Sequence, residues 1–205
     1  MKRENETKHK LLEVAMRLIW EQSYGSVGVD EICKQAGVTK GSFYFAFPSK
    51  AALAAACFDA AWEHKKPLLD GIFSARFSAR EQLEKYCVFL AEDQREKFRT
   101  FGKMCGCPFA SVGSEVSTQD DMIRHKAGQM AEGVVRYFAG MIRTAQAEGL
   151  VAKEEDPALL GRQLFDFVDG VILHAKIENN PSALDRVRPG MFRLLGLREE
   201  EPAAA

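Results

Sequence analysis

"GVTKGSFYFAFPSK", residues 37–50, places a glycine, a valine and a threonine ahead of three Phe and a Tyr, closes on Pro-Ser, and carries Lys40 and Lys50 near its two ends. Gly37 supplies a left-handed turn, Val38 plugs the corner, and the Thr39 hydroxyl can cap a helix that starts at Lys40. That helix is short, because Phe47 precedes Pro48 and the residue before a proline is pushed out of the helical region. Upstream, Val29 to Ala36 reads as a helix with Ile32 and Ala36 facing inward. At about 3.6 residues per turn Phe43 and Phe47 share one face and point back at Ile32. The pattern is a helix-turn-helix, an arrangement that offers the start of its second helix to a DNA major groove. Ser49 and Lys50 then open the next helix.

The aromatics divide by direction. Phe43 and Phe47 are core, whereas Lys40, Ser42, Tyr44 and Phe45 lie outward. Lys40 and Lys50 offer charge for phosphate, Thr39, Ser42 and the amides at the helix start offer hydrogen bonds, and Gly41 permits close backbone approach. The same features also suit a packed helical corner with two surface lysines, and the residues alone do not separate the two readings.

Outward from this stretch, the chain of 205 residues is long enough for a substantial apolar core. Its net charge of −1 hides a small asymmetry: residues 1–50 hold eight Lys or Arg against six Asp or Glu, and the remainder is acidic. The five cysteines are odd in number and sit mostly among apolar neighbours, which suggests reduced thiols and a cytoplasmic location. No apolar run has the length needed to cross a bilayer. Apolar spacing is helical throughout. Leu11, Leu12, Ala15, Leu18 and Ile19 form a stripe ending at Gly25; Leu83, Tyr86, Cys87 and Leu90 form another, opened by Ser78 with Glu81 as a capping box. A segment from Thr118 to Glu148 stops at Gly149, and Asp156-Pro157 opens a helix with the stripe Leu160, Leu164, Phe167, Val168, Val171, Ile172 and Ala175. Asn179-Asn180-Pro181 ends it, and Ser182 is expected to open a last helix through Leu195. The expectation is an all-α fold of about nine helices: a helix-turn-helix domain over 1–50, a larger helical domain over 51–197, and a disordered tail, "REEEPAAA", over 198–205.

Residues 10–53, and above all "VDEICKQAGVTKGSFYFAFPSKAAL", closely resemble the DNA-binding region of the TetR family of bacterial transcriptional regulators. The resemblance implies a homodimer, operator DNA as partner, a ligand-binding and dimerisation role for the helical domain over 51–197, and repression relieved by a small-molecule inducer. Carried over position by position, DNA contacts fall on Thr39, Lys40, Gly41, Ser42, Tyr44 and Lys50. Two further positions depart from the family pattern and bear on the operator. Gly28 stands where a hydroxyl residue usually caps the second helix, and Phe45 stands where a histidine is common, a ring suited to a thymine methyl. Cys33 replaces a small alanine.

The remainder is less explicit. "FGKMCGCPFASVGSEVS", residues 101–117, resembles a Gly-Cys segment in a branch of the same family that includes an N-ethylmaleimide-responsive repressor, which puts Cys107, with Cys105 beside it, forward as a thiol sensor. An inert packing thiol is the alternative. Two cysteines one residue apart make only half a zinc site, and no metal or cofactor is expected. Trp62, Phe101, Phe109, Tyr137 and Phe165 are candidates for an apolar ligand pocket. The run from Pro157 to Ile177 holds more apolar residues than one stripe requires, so Leu164, Phe167, Val168 and Val171, with Leu195, are expected at a two-fold four-helix interface. An enzyme is disfavoured by the lack of a nucleophile elbow, a phosphate-cradling loop or an HExxH helix. An interaction bundle without DNA binding would leave the match over residues 37–50 unexplained.

Overall fold

A computed structural model describes residues 2–197, the side chains of residues 2–4 aside, and the expected tail over 198–205 lies outside the described residues. Within them the chain is helical: α1 (Lys2–Glu21), α2 (Val29–Ala36), α3 (Lys40–Ala46), α4 (Lys50–Ile72), α5 (Ala79–Phe101), α6 (Pro108–Val116), α7 (Asp121–Ala147), α8 (Pro157–Glu178), a 3-10 turn (Pro181–Arg186) and α9 (Val187–Leu194). No described helix is long and apolar enough to cross a membrane.

The helix ends are set by caps. Gly37 takes φ +65° and its amide closes the last turn of α2, as the sequence requires. Ser78 and Glu81 form the reciprocal capping box at the start of α5. Asp156 accepts from the Ala158 amide ahead of Pro157, and Asn179, at φ +48°, closes α8. Three ends differ from expectation. The first stripe stops at Glu21, so Gly25 lies in the turn beyond it. The Ser182–Leu195 helix is instead a 3-10 turn running into α9, because the Asn180 side chain caps the Ser182 amide one residue earlier. Residues 108–116 form a helix of their own, opened by Pro108 at its first position.

The chain condenses into two compact units. The first takes the chain through Lys65 together with Cys107–Met130; the second takes Lys66–Gly106 together with the chain from Ala131 onward. The first fifty residues therefore do not close their core alone. Leu11, Ala15, Leu18, Val27, Ile32, Phe43 and Phe47 pack with Leu53, Cys57 and Phe58 of α4, Val112 of α6, and Ile123 and Met130 of α7. In the second unit an aromatic cluster joins α5, α7 and the turn just after α4: Phe138 meets Tyr86 edge-on at 4.9 Å, and Phe73 stacks on Tyr137 at 5.4 Å. Helices approach closely there. A Cβ at Gly161 of α8 would stand 3.1 Å from the Ala139 amide nitrogen of α7, and the Phe167 ring lies directly over Gly190 of α9.

Candidate nucleic-acid interface

α3 is held from beneath and left bare on top. Phe43 is completely buried and Phe47 nearly so, their rings 6.5 Å apart. Tyr44 meets the edge of Phe43 at 5.1 Å but remains 55% exposed, and Phe45 is 78% exposed. Two large rings in water on one seven-residue helix are costly in solubility, which a binding surface explains better than a core does.

The polar residues around them are already engaged with one another. Thr39 Oγ1 accepts from the Ser42 amide at 3.1 Å, and the two hydroxyls share a hydrogen at 2.9 Å. Lys40 Nζ pairs with Asp30 Oδ1 at 2.6 Å on the surface, and that hydrogen bond raises the ammonium's pKa. An exposed pair of this kind contributes little to stability and is readily exchanged for phosphate. A Cβ at Gly41 would meet nothing nearer than the Thr39 hydroxyl at 3.8 Å, so the space over this residue is open. Gly28 caps α2 with extended backbone and no side-chain bond.

Lys50 stands apart from this set. Its ammonium donates to the Tyr24 carbonyl at 2.8 Å and the Val27 carbonyl at 3.0 Å, and it lies 4.1 Å from the Tyr24 ring centroid. Half-burial lowers its pKa, with the Glu115 carboxylate pulling the other way. The charge expected at phosphate is therefore committed to the α1–α2 turn. On the other side of that turn, Glu115 of α6 accepts from the Gly25 amide at 2.6 Å and the Tyr24 amide at 3.1 Å. Sequence reading missed Tyr24 and Glu115 as a site, and Asp30 as the partner of Lys40. The separation of about ninety residues between Glu115 and the turn leaves no local signal to find.

The sensing candidates divide between the units. In the first, Cys107 is half-buried as the N-cap residue of α6, Phe109 meets Phe58 edge-on at 5.0 Å, and Trp62 is half-buried against the core. In the second, Cys105 is buried with its thiol 3.7 Å from the Lys103 carbonyl, and the neighbouring Met104 amide donates to Asn179 Oδ1. Tyr137 donates to Asp70; burial first, and that bond second, push its phenol up to about 12. Phe101 ends α5 half-buried, and Phe165 sits half-buried with the Arg162 guanidinium 5.8 Å from its ring. Of the expected interface residues, Leu164, Val168, Val171 and Leu195 are buried within a single chain, and Phe167 is half-buried over Gly190. The apolar side chains that α8 and α9 expose are others: Leu159, Leu173, Ile177 and Leu194.

Two family models match the chain: "Bacterial regulatory proteins, tetR family" over residues 11–57 and "Tetracyclin repressor-like, C-terminal domain" over residues 79–191. The transcriptional regulator AcuR of Cereibacter sphaeroides is 33% identical over 176 residues, covering 85% of this chain and 78% of AcuR. The transcriptional repressor NemR of Escherichia coli is 23% identical, covering 89% of this chain and 90% of NemR. Among solved structures, a regulatory protein TetR from Rhodobacter sphaeroides superposes with a TM-score of 0.78 at 30% identity, covering 91% of this chain and 97% of that one.

Proposed function

The chain belongs to the tetR family of bacterial regulatory proteins and is a DNA-binding transcriptional regulator; from that premise we propose that it is a dimeric repressor working in the cytoplasm, reading a near-palindromic operator with α3 and leaving it when a small molecule or electrophile engages residues 51–197. The observation that carries the reading is the outer face of α3, with Tyr44 and Phe45 exposed over a fully buried Phe43. In it Lys40, Thr39, Ser42, Gly41 and Tyr44 meet phosphate, and Phe45 meets a base edge, its apolar ring suited to a thymine methyl. Gly28 lets the start of α2 approach the backbone.

Dimerisation uses the outward stripe of α8. Leu173 and Ile177 stand one turn apart, with Leu159 further along and Gly170 open to close approach. Paired with exposed Leu194 of α9, two copies make a four-helix interface. Cys107 is the favoured thiol sensor because it is the least buried of the five cysteines. Trp62, Phe101, Phe109, Tyr137 and Phe165 remain the candidate ligand contacts.

The test is a mobility shift on DNA flanking the protein's own gene, with sedimentation alongside. Ile177→Glu is expected to give monomers that lose the operator. N-ethylmaleimide is expected to release wild type and leave Cys107→Ser bound. A monomer that still binds tightly sinks the dimeric reading. Wild type that stays bound after complete modification leaves reversible ligand binding as the means of induction.

A further inference from the structure

We propose that Glu115 and Lys50 are positioning residues for operator recognition: a carboxylate on α6 and an ammonium on α4 grip the Tyr24–Val27 turn from two sides, and α6 loosens the DNA-reading helices by letting that turn go. The proposal rests on the reading that α3 binds the operator.

Each Glu115 oxygen takes one backbone amide, Oε1 that of Gly25 at 2.6 Å and Oε2 that of Tyr24 at 3.1 Å. Amides donated to a carboxylate are charge-assisted and stronger than ordinary backbone bonds. Lys50 completes the grip on the carbonyls of Tyr24 and Val27. The Tyr24 residue is thus held at its N–H, its C=O and its ring. Local bonds do not substitute: those of the Ser23 and Ser26 hydroxyls stay within the turn and tie it to no other element.

The turn matters because it leads directly into the DNA-reading helices. Val27 is fully buried, and the next residue, Gly28, starts α2 without any side-chain cap. With no hydroxyl at position 28, the entry angle of α2, and through Gly37 that of α3, depends on how the turn is anchored. Position 25 is matched to the carboxylate, since a Cβ there would land on Glu115 Oε1. Cys107 and Glu115 occupy opposite ends of α6, eight residues and about 12 Å apart along the helix. A displacement of the Cys107 end therefore reaches the grip through one rigid element.

The experiment uses full-length protein, the DNA flanking its own gene, and a scrambled duplex of equal length, titrated across salt. Glu115→Ala and Gly25→Ala, which displaces the carboxylate without removing it, are each expected to weaken binding to the first duplex by about 10- to 100-fold. Affinity for the scrambled duplex and the salt slope should stay unchanged, because no phosphate contact is lost. Combining the two changes should add little, since both break one contact. Glu115→Gln should recover part of the loss. Lys50→Met should weaken specific binding at constant slope; a slope reduced by about two per dimer would make Lys50 a phosphate contact and overturn its assignment. Amide exchange at Tyr24 and Gly25 supplies a readout independent of DNA. Protection in wild type that is lost in Gly25→Ala, with the Phe43 amide unaffected, supports the grip, and unprotected amides in wild type overturn it. If Glu115→Ala does not fold, Gly25→Ala and Glu115→Gln decide. Wild type that ignores its flanking DNA while those amides stay protected would instead defeat the operator reading and leave the grip standing.

Discussion

Residues 29–47 take their shape from bonds within a few residues and from packing on α1, with α4, α6 and α7 closing the core beneath them, whereas residues 103–117 are bonded mainly to residues far away in the chain. In the first stretch Ile32, Phe43 and Phe47 share one core with Leu11, Ala15 and Leu18, and the Thr39 cap and the Gly37 turn are bonded within a few residues. In the second, the Met104 amide depends on Asn179, and Glu115 depends on Tyr24 and Gly25. A locally specified unit keeps its internal shape even where its orientation depends on a distant anchor. A remotely braced one changes whenever its braces do, the property that the sensing role proposed for Cys107 requires.

The strongest way to break this contrast is to hollow out the local unit. Phe43→Ala removes a ring with no exposure at all, and the cost should be about 3–5 kcal/mol, read as a large fall in melting temperature with loss of operator binding. Phe45→Ala, two residues away and 78% exposed, should leave stability within about 0.5 kcal/mol and alter which operators are preferred. Equal destabilisation by both would mean that α3 is an ordinary packed helix.

The same contrast sets how far the sequence could be read. The helix-turn-helix was legible because its signals are short-range: a glycine turn, a hydroxyl cap, and two Phe at helical spacing. The Ser78–Glu81 box and the Asp156-Pro157 start were legible for the same reason. The face of α8 was not. Leu164, Val168 and Val171 are apolar at the right spacing for an interface, yet all three are buried within one chain, on a helix that the 3-10 turn and α9 pack against, and Leu173 and Ile177 are the exposed ones. Periodicity finds an apolar stripe without saying which neighbour it meets. Lys50 shows a second limit: a lysine beside a short aromatic helix reads as a phosphate contact, and nothing near it in the sequence signals the carbonyls of Tyr24 and Val27 that its ammonium meets.

Thiol chemistry sharpens the contrast at intermediate size. Burial pushes the Cys57 and Cys87 thiols up to about 12, so at pH 7.5 the reactive thiolate is on the order of 10⁻⁴ to 10⁻⁵ of each. Cys107, half-buried at the start of α6, should be the first alkylated when N-ethylmaleimide is limiting, as followed by peptide mass spectrometry. Raising the pH to 9 should increase the Cys57 and Cys87 thiolate, and their labelling, in proportion. Labelling of Cys57 ahead of Cys107 at neutral pH would show the first unit's core opening more readily than the remotely braced segment, and the contrast would be reversed.

The smallest expected effect compares two caps. Thr39→Ala and Ser78→Ala each remove a hydroxyl that accepts an N3 amide, and each should cost about 1 kcal/mol, or roughly 2–4 °C in a chain of this size. Their pH dependence should differ. Glu81 accepts a hydrogen bond from the Ser78 amide and another from its hydroxyl, and these bonds hold its carboxyl below the ordinary glutamate value. A carboxylate with a lowered folded-state pKa contributes stability that is fully present above its unfolded value of about 4.3 and is lost as pH falls through the folded value. The Ser78→Ala deficit should therefore shrink as melting is followed from pH 7 down to about pH 3. At α3 the third helical residue is Ser42, which does not titrate, so the Thr39→Ala deficit should hold steady across the same range. A Ser78→Ala deficit that stayed constant in acid would mean that the hydroxyl works only as an acceptor of the Glu81 amide and that its own bond to the Glu81 carboxylate contributes nothing to the start of α5.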